Sequence, residues 1–153
     1  MLNPKFVARM KHFIQGNLPV IAILLLTLAV IACKKEEQNF IPQTAVDFTI
    51  NINNPQYISL KSIGGLVYVS GGSKGIILYR AEENNINAFD RHSTYKPENN
   101  CRVMVDSSDI AAIDTCSNSR YLLSSGNPIS GPATFPLFAY ETTFNGTELH
   151  VFN

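Results

Sequence analysis

A chain of 153 residues, 45% hydrophobic and 16% charged with no Trp, suits one small globular domain with extensions and excludes two domains. Its 12 basic residues balance its 12 acidic ones, so no basic surplus points to nucleic acid, which is bound through a basic face. The N-terminus stands apart from the rest. Lys5, Arg9, Lys11 and His12 form a basic lead, and residues 18–32 are then apolar except for Thr27. A basic segment followed by roughly 7–15 apolar residues is the pattern of a secretory signal. The tract also falls short of the ~20 residues that a spanning helix needs.

The apolar run closes on Val30-Ile31-Ala32-Cys33. This resembles a bacterial lipobox, in which small residues precede a Cys that is lipidated and becomes the new N-terminus. The alternative is an uncleaved signal anchor. A Cys placed where the apolar tract stops and Lys34-Lys35-Glu36-Glu37 begins favours the lipoprotein. Three acyl chains would then hold the protein to the membrane, beyond the marginal grip of one chain. The tetrapeptide resembles the export tag of surface lipoproteins in some Gram-negative phyla, although such a charge run also reads as a solvated tether. An outer-membrane lipoprotein is expected, on the cell surface or on the periplasmic face. Removal of residues 1–32 takes away three basic residues, leaving 9 (12 − 3) against 12 acidic, a net of −3.

Residues 33–45 mix charge, Gln and Pro42 without periodicity and read as the lipidated Cys and a flexible tether. From Val46 to Asn153 the pattern is one of short strands. Residues 46–52 alternate apolar and polar, the period of a half-buried strand, until Asn53-Asn54-Pro55 stops it. Leu66-Val67-Tyr68-Val69 and Ile76-Ile77-Leu78-Tyr79-Arg80 flank a Gly-rich loop at residues 71–75 and predict a hairpin. A turn at Glu83-Asn84-Asn85 leads to Ile86-Asn87-Ala88-Phe89. Further short strands are predicted at residues 103–105, 110–113, 137–140 and 148–151. No window carries sustained helical periodicity. The fold class is all-β, a small antiparallel sandwich or barrel.

Two boxes then carry the chemistry. Asp114-Thr115-Cys116-Ser117-Asn118-Ser119-Arg120-Tyr121 is similar to the second cluster-binding box of Rieske iron–sulfur domains, Cys-Pro-Cys-His-Gly-Ser-x-Phe. The ligand Cys falls on Asp114 and the ligand His on Ser117, while the Ser-x-aromatic ending survives as Ser119-Arg120-Tyr121. Ala88-Phe89-Asp90-Arg91 leads into His92-Ser93-Thr94-Tyr95, which resembles the strand before the first box, Cys-x-His. That places Ser93 at the Cys and Tyr95 at the His. A register shifted by one step places His92 at the His position and Asp90 at the Cys. Gly126, Gly131-Pro132-Ala133, Pro136-Leu137, Tyr140 and Gly146 follow the family's order, with residues 130–136 in the place of its Pro-rich loop. The resemblance runs from about Gly65 to Val151 and implies a Rieske-type β domain whose two loops form a degenerate cluster-binding subdomain.

The metal chemistry does not follow. A Rieske centre needs two thiolates on one iron and two imidazoles on the other. Ser93, Asp114, Tyr95 and Ser117 supply none of these, so the resemblance implies vestigial cluster positions and no 2Fe–2S cofactor. A bare metal site from Asp114, Tyr95 and His92 is the alternative to a pocket filled by mutual hydrogen bonds; the second is favoured because buried polar groups must find partners. Lipidation of Cys33 leaves Cys101 and Cys116, an even number in an exported chain. The resemblance implies a disulfide between them, since some Rieske domains join the two loops in this way and Cys116 matches the middle Cys of the second box. Cys101 lies further from the first box than usual, so a short insertion is expected there.

No catalytic residue is expected. Gly71-Gly72-Ser73-Lys74-Gly75 has the Gly-x-Ser-x-Gly spacing but lies in the predicted hairpin, not in a strand-to-helix elbow, and beyond Cys33 the chain has only His92 and His150 as bases. Asn145-Gly146-Thr147 reads as a hairpin turn, and Arg91 and Arg120 as partners for Asp90, Asp106 or Asp109. The expected function is a non-enzymatic, lipid-anchored module of the cell envelope that binds an envelope protein or small ligand or serves a structural role. The alternative implied by the resemblance is a Rieske electron-transfer protein.

Overall fold

A computed structural model describes residues 41–153; the signal segment, Cys33 and most of the expected tether lie outside the described residues. Ten β-strands appear among them: β1 Asp47–Asn51, β2 Leu66–Val69, β3 Ile76–Glu82, β4 Asn85–Asp90, β5 Val103–Val105, β6 Ala111–Asp114, β7 Arg120–Leu122, β8 Pro128–Ser130, β9 Ala139–Phe144 and β10 Glu148–Phe152. Six form one antiparallel sheet in the order β1-β10-β9-β4-β3-β2, and four form a second in the order β5-β6-β7-β8. In the large sheet β4 and β9 are neighbours, with Ala88 opposite Tyr140. The chain leaves the large sheet at Asp90, builds the whole small sheet, and returns at Ala139.

The hairpin signal around residues 71–75 is realised as β2–β3, with Leu66 opposite Tyr79 and Val69 opposite Ile76. The apolar run of β3 has a physical reason. Ile76 and Leu78 face a core shared with Val46, Leu60, Ile86, Leu149 and Val151, whereas Ile77 and Tyr79 face a second core with Phe89, Val103, Tyr121 and Leu137. A strand buried on both faces has no use for alternation. β3 is thus the wall between the two cores, and β1, covered on one side, keeps the alternating pattern.

The structure departs from the sequence expectation in several places. Pro55–Lys61 forms a 3-10 helix, with Pro in its first turn and Leu60 fully buried. Seven residues are too few for helical periodicity to register. β7 and β8, three residues each, are likewise too short for alternation to register. The strand expected at residues 137–140 begins at Ala139, because Leu137 turns into the second core. At the end of the expected tether, Asn153 donates through Nδ2 to the Thr44 carbonyl at 3.2 Å and accepts the Val46 N–H through Oδ1 at 2.9 Å.

β1 and β2 are the two edges of the large sheet, so this sheet is a half-barrel. A cleft of about 510 Å³ opens between those edges, lined by Phe48, Ile50, Gln56, Tyr57, Val67 and Val69 among others. Arg80, only 9% exposed, seals the same sheet nearby. Its guanidinium donates to the carbonyls of Leu60 and Glu83 and lies 5.1 Å from the Phe144 ring centre.

Candidate functional site

Three loops converge beyond the small sheet. The first, residues 91–102, leaves β4 and is closed by a bridge between His92 and Arg102 and by the Ser93 N–H donating to the Cys101 carbonyl at 3.0 Å. Its expected insertion is a single 3-10 turn at Pro97–Asn99, flanked by Lys96 and Asn100 in left-handed conformation (φ 47° and 57°). The second loop, residues 115–119, turns tightly: the Asn118 N–H donates to the Asp114 carbonyl, and the Asp114 N–H to the Ser119 carbonyl, both at 2.8 Å. The third, residues 131–138, carries the Gly-Pro-Ala segment. Cys101 and Cys116 are bonded to each other with their Cα atoms 6.1 Å apart, so the first and second loops are joined covalently.

Asp114 is the centre of the arrangement. It is fully buried and accepts from the Ser93 hydroxyl at 2.7 Å, the Ser117 hydroxyl at 2.6 Å and the Cys116 N–H at 2.9 Å. The single proton of Ser117 goes to that carboxylate, so in the 2.8 Å contact between Ser117 and Ser119 it is Ser119 that donates. Ser119 Oγ in turn accepts the Ala133 N–H at 3.1 Å. Gly131 lies against the same serine, and a Cβ at that position would meet the Ser119 Cα at 2.5 Å. Only glycine lets the third loop come this close. Tyr121 completes the bracing: its phenol donates to Thr94 Oγ1 at 3.1 Å, and Thr94 donates to the Phe135 carbonyl at 2.8 Å. The retained Ser-x-aromatic ending therefore ties all three loops together.

Of the four candidate positions, Ser93, Asp114 and Ser117 share one hydrogen-bonded cluster. Tyr95 does not join it through its side chain, which packs half-buried against the second core with the Lys96 ammonium 5.5 Å from its ring centre; only its backbone reaches Ser93 Oγ, the N–H at 3.2 Å and the carbonyl at 3.5 Å. The shifted register fares differently. His92, fully buried, accepts the Ser73 hydroxyl proton at Nδ1 (2.7 Å) and donates from Nε2 to the Pro97 carbonyl (2.9 Å). Both ring nitrogens are occupied within the fold. The contemplated metal site of Asp114, Tyr95 and His92 is accordingly not assembled among the described residues.

Asp90 also has a different role from the expected ion pair. Its carboxylate, fully buried, accepts from the N–H groups of Ser73 (2.6 Å), His92 (2.8 Å) and Lys74 (3.3 Å) and from the Tyr140 hydroxyl (2.7 Å). Burial first, and then the bond to Asp90, push the Tyr140 phenol well above its ordinary range. A Cβ on Gly72 would sit 2.3 Å from both Asp90 Oδ2 and the Tyr140 oxygen, which reserves this loop position for glycine. Among the described residues Arg91 pairs with no carboxylate: it lies 4.1 Å from the Tyr68 ring centre and donates from Nε to the Val103 carbonyl at 3.1 Å. The expected partner Asp90 is instead saturated by backbone donors, which sequence does not reveal. Burial lowers the Arg91 pKa. Arg120 does pair with Asp106, whose carboxyl is held below its usual range by the hydroxyl and N–H of Ser108 and then by Arg120.

No protein-family model matches the sequence, and no curated protein does. Among solved structures, the cyanobacterial plasma membrane Rieske protein PetC3 from Synechocystis PCC 6803 superposes with a TM-score of 0.51 over 67% of this chain and 97% of that one, at 18% identity. The chain has a Rieske-like fold. The ferredoxin of carbazole 1,9a-dioxygenase from Nocardioides aromaticivorans IC177 is also similar, with a TM-score of 0.47 at 14% identity over 71% and 96% of the two chains. In Rieske-like terms the small sheet and its three loops are the place where a cluster would be held. The donors gathered there are two hydroxyls and one carboxylate, and the two sulfurs are bonded to each other. That set does not fit a 2Fe–2S centre, which takes thiolates and imidazoles.

Proposed function

We propose that this chain is a non-enzymatic, lipid-anchored module of the cell envelope whose Rieske-like tip is organised by hydrogen bonds and a disulfide in place of a cluster. The observation that carries this reading is the Asp114 carboxylate accepting hydroxyls from both loops, Ser93 at 2.7 Å and Ser117 at 2.6 Å. A carboxylate already engaged by three donors leaves the tip filled by protein groups. With iron chemistry gone, what remains is a rigid surface of three cross-braced loops, suited to binding an envelope protein or small ligand or to a structural role.

The anchor follows from Cys33 at the end of the apolar tract. Among the described residues no helix is long and apolar enough to cross a membrane. Cys33 would carry the lipid, with Lys34-Lys35-Glu36-Glu37 as the leader toward the outer membrane, at its surface or its periplasmic face. The fold similarity to a Rieske protein favours a second reading, an electron-transfer protein, and one preparation separates the two. Protein purified from envelopes is expected to be colourless, free of stoichiometric iron and sulfide, and silent in reduced-state EPR. A brown protein holding two iron atoms per chain overturns the first reading. Replacing Cys33 by Ser is expected to release the chain from the membrane fraction, and retention there would count against the lipid anchor.

A further inference from the structure

The disulfide and the buried carboxylate lie side by side. The sulfurs of Cys101 and Cys116 and a carboxylate oxygen of Asp114 all fall within 4.8 Å of one another. Asp114 is fully buried, yet every partner it has is a neutral donor, and the ion pairs among the described residues lie elsewhere, at Arg120–Asp106 and His150–Asp47. Buried charges are ordinarily paired or bound to a metal. An uncompensated buried carboxylate beside two sulfurs is a place where a cation would be welcome.

We infer that reduction of the Cys101–Cys116 disulfide converts this corner of the tip into a binding site for a thiophilic divalent cation, of which zinc is the type, held by two thiolates and Asp114. Zinc takes Cys sulfur at ~2.3 Å and carboxylate oxygen at about 2.0–2.2 Å, commonly in a tetrahedron. Two such sulfur bonds at a tetrahedral angle set the sulfurs about 3.8 Å apart. Side-chain rotation reaches that separation from the bonded pair, because the backbones already stand 6.1 Å apart at Cα. Ser117 and Ser93, which now point their protons at Asp114, would hold and orient the ligating carboxylate, and water would take the fourth position.

The electron balance is that of thiol–disulfide exchange. A dithiol reductant of the envelope attacks the exposed Cys116 sulfur, and the S–S bond breaks; the dithiol becomes a disulfide, and two electrons and two protons pass to Cys101 and Cys116. The cation then displaces the two thiol protons. The inference rests on the cluster-free reading of the tip and adds a redox-gated site to it.

The test uses the full-length chain extracted in detergent, oxidised or reduced with a phosphine, and titrated without oxygen with zinc and separately with cobalt. The reduced chain is expected to bind one zinc at least 100-fold more tightly than the oxidised chain, and its cobalt form to gain thiolate charge-transfer absorption. Asp114→Asn is expected to weaken zinc binding about ten-fold or more. A Cys33→Ser chain should behave as the wild type. Equal affinity of the oxidised and reduced chains, unchanged affinity in Asp114→Asn, or dependence on Cys33 overturns the inference. If Asp114→Asn does not fold, the comparison of oxidised and reduced wild type decides alone. Iron and sulfide in the purified chain would defeat the cluster-free reading, whereas a cluster-free chain that ignores zinc when reduced defeats only this site.

Discussion

Asp90 and Asp114 are both fully buried carboxylates held by neutral donors, one at the end of the large sheet and one at the end of the small sheet. Asp90 gathers three backbone N–H groups and a phenol, so it fixes the Gly-rich loop of residues 71–75 to β9. Asp114 gathers two serine hydroxyls and one N–H, and it joins loops that would otherwise be held by the disulfide and the backbone. The surroundings differ more than the carboxylates do. β3 is buried on both faces between two apolar cores, whereas the small sheet has three strands of only three residues and relies on cross-links. A Rieske-like fold without thiolate or imidazole donors at its tip thus rests on two kinds of cohesion, apolar burial in one sheet and polar and covalent ties in the other.

That contrast predicts graded damage. Asp90→Asn puts a donor among four donors and should cost about 3 kcal/mol, loosening the whole domain in urea titration; a loss confined to residues 93–122 would show the two sheets are not distinguished this way. Replacing both Cys101 and Cys116 by Ser should also cost about 3 kcal/mol, since the loop closed spans 15 residues. Here amide exchange should quicken in β5–β8 while β3 and β4 stay protected, and uniform loss of protection would contradict it. Tyr140→Phe removes one donor from Asp90 and should cost about 1–2 kcal/mol near neutral pH. Its phenol has a raised pKa in the folded state, so its contribution is complete below the unfolded value of about 10 and is lost as pH climbs through the folded one. Melting temperatures of wild type and Tyr140→Phe should therefore converge above about pH 10, and a gap that persists would refute the assignment. Smallest of all, Tyr68→Phe keeps the ring under Arg91 but removes the acceptor for the Val105 N–H, 2.8 Å away. A cost of about 1 kcal/mol is expected, visible as faster exchange at Val105 and little elsewhere.

Much of the fold was legible in the residues. The double apolar run around residues 71–75 specified a hairpin because two aliphatic strands joined by glycines have few other arrangements. Glycine at 131, serine at 119 and an aromatic at 121 marked the tip, because close backbone approach and loop-to-loop hydrogen bonds demand those types. The pair Cys101 and Cys116 followed from the resemblance, and the structure joins them. The substitutions at 93, 114 and 117 were equally readable as chemistry: hydroxyls and a carboxylate are not thiolates and imidazoles.

What sequence alone could not settle was who meets whom. Asp90 next to Arg91 looks like an ion pair in one dimension; in three, the Asp90 carboxylate meets the N–H groups of a loop 16–17 residues earlier, and Arg91 lies on an aromatic ring. The three-residue strands β7 and β8 carry too few positions for a period and exist because neighbours pair with them. By itself the sequence determined the all-β class and the donor chemistry at the tip, since these depend on residue type and local pattern, while the cysteine pair came with the family resemblance. Only the tertiary structure decided that Ser93, Asp114 and Ser117 share one buried cluster while Tyr95 and His92 do not. Hydrogen bonds of about 3 Å are set by the packing of distant segments, and no local preference encodes that distance.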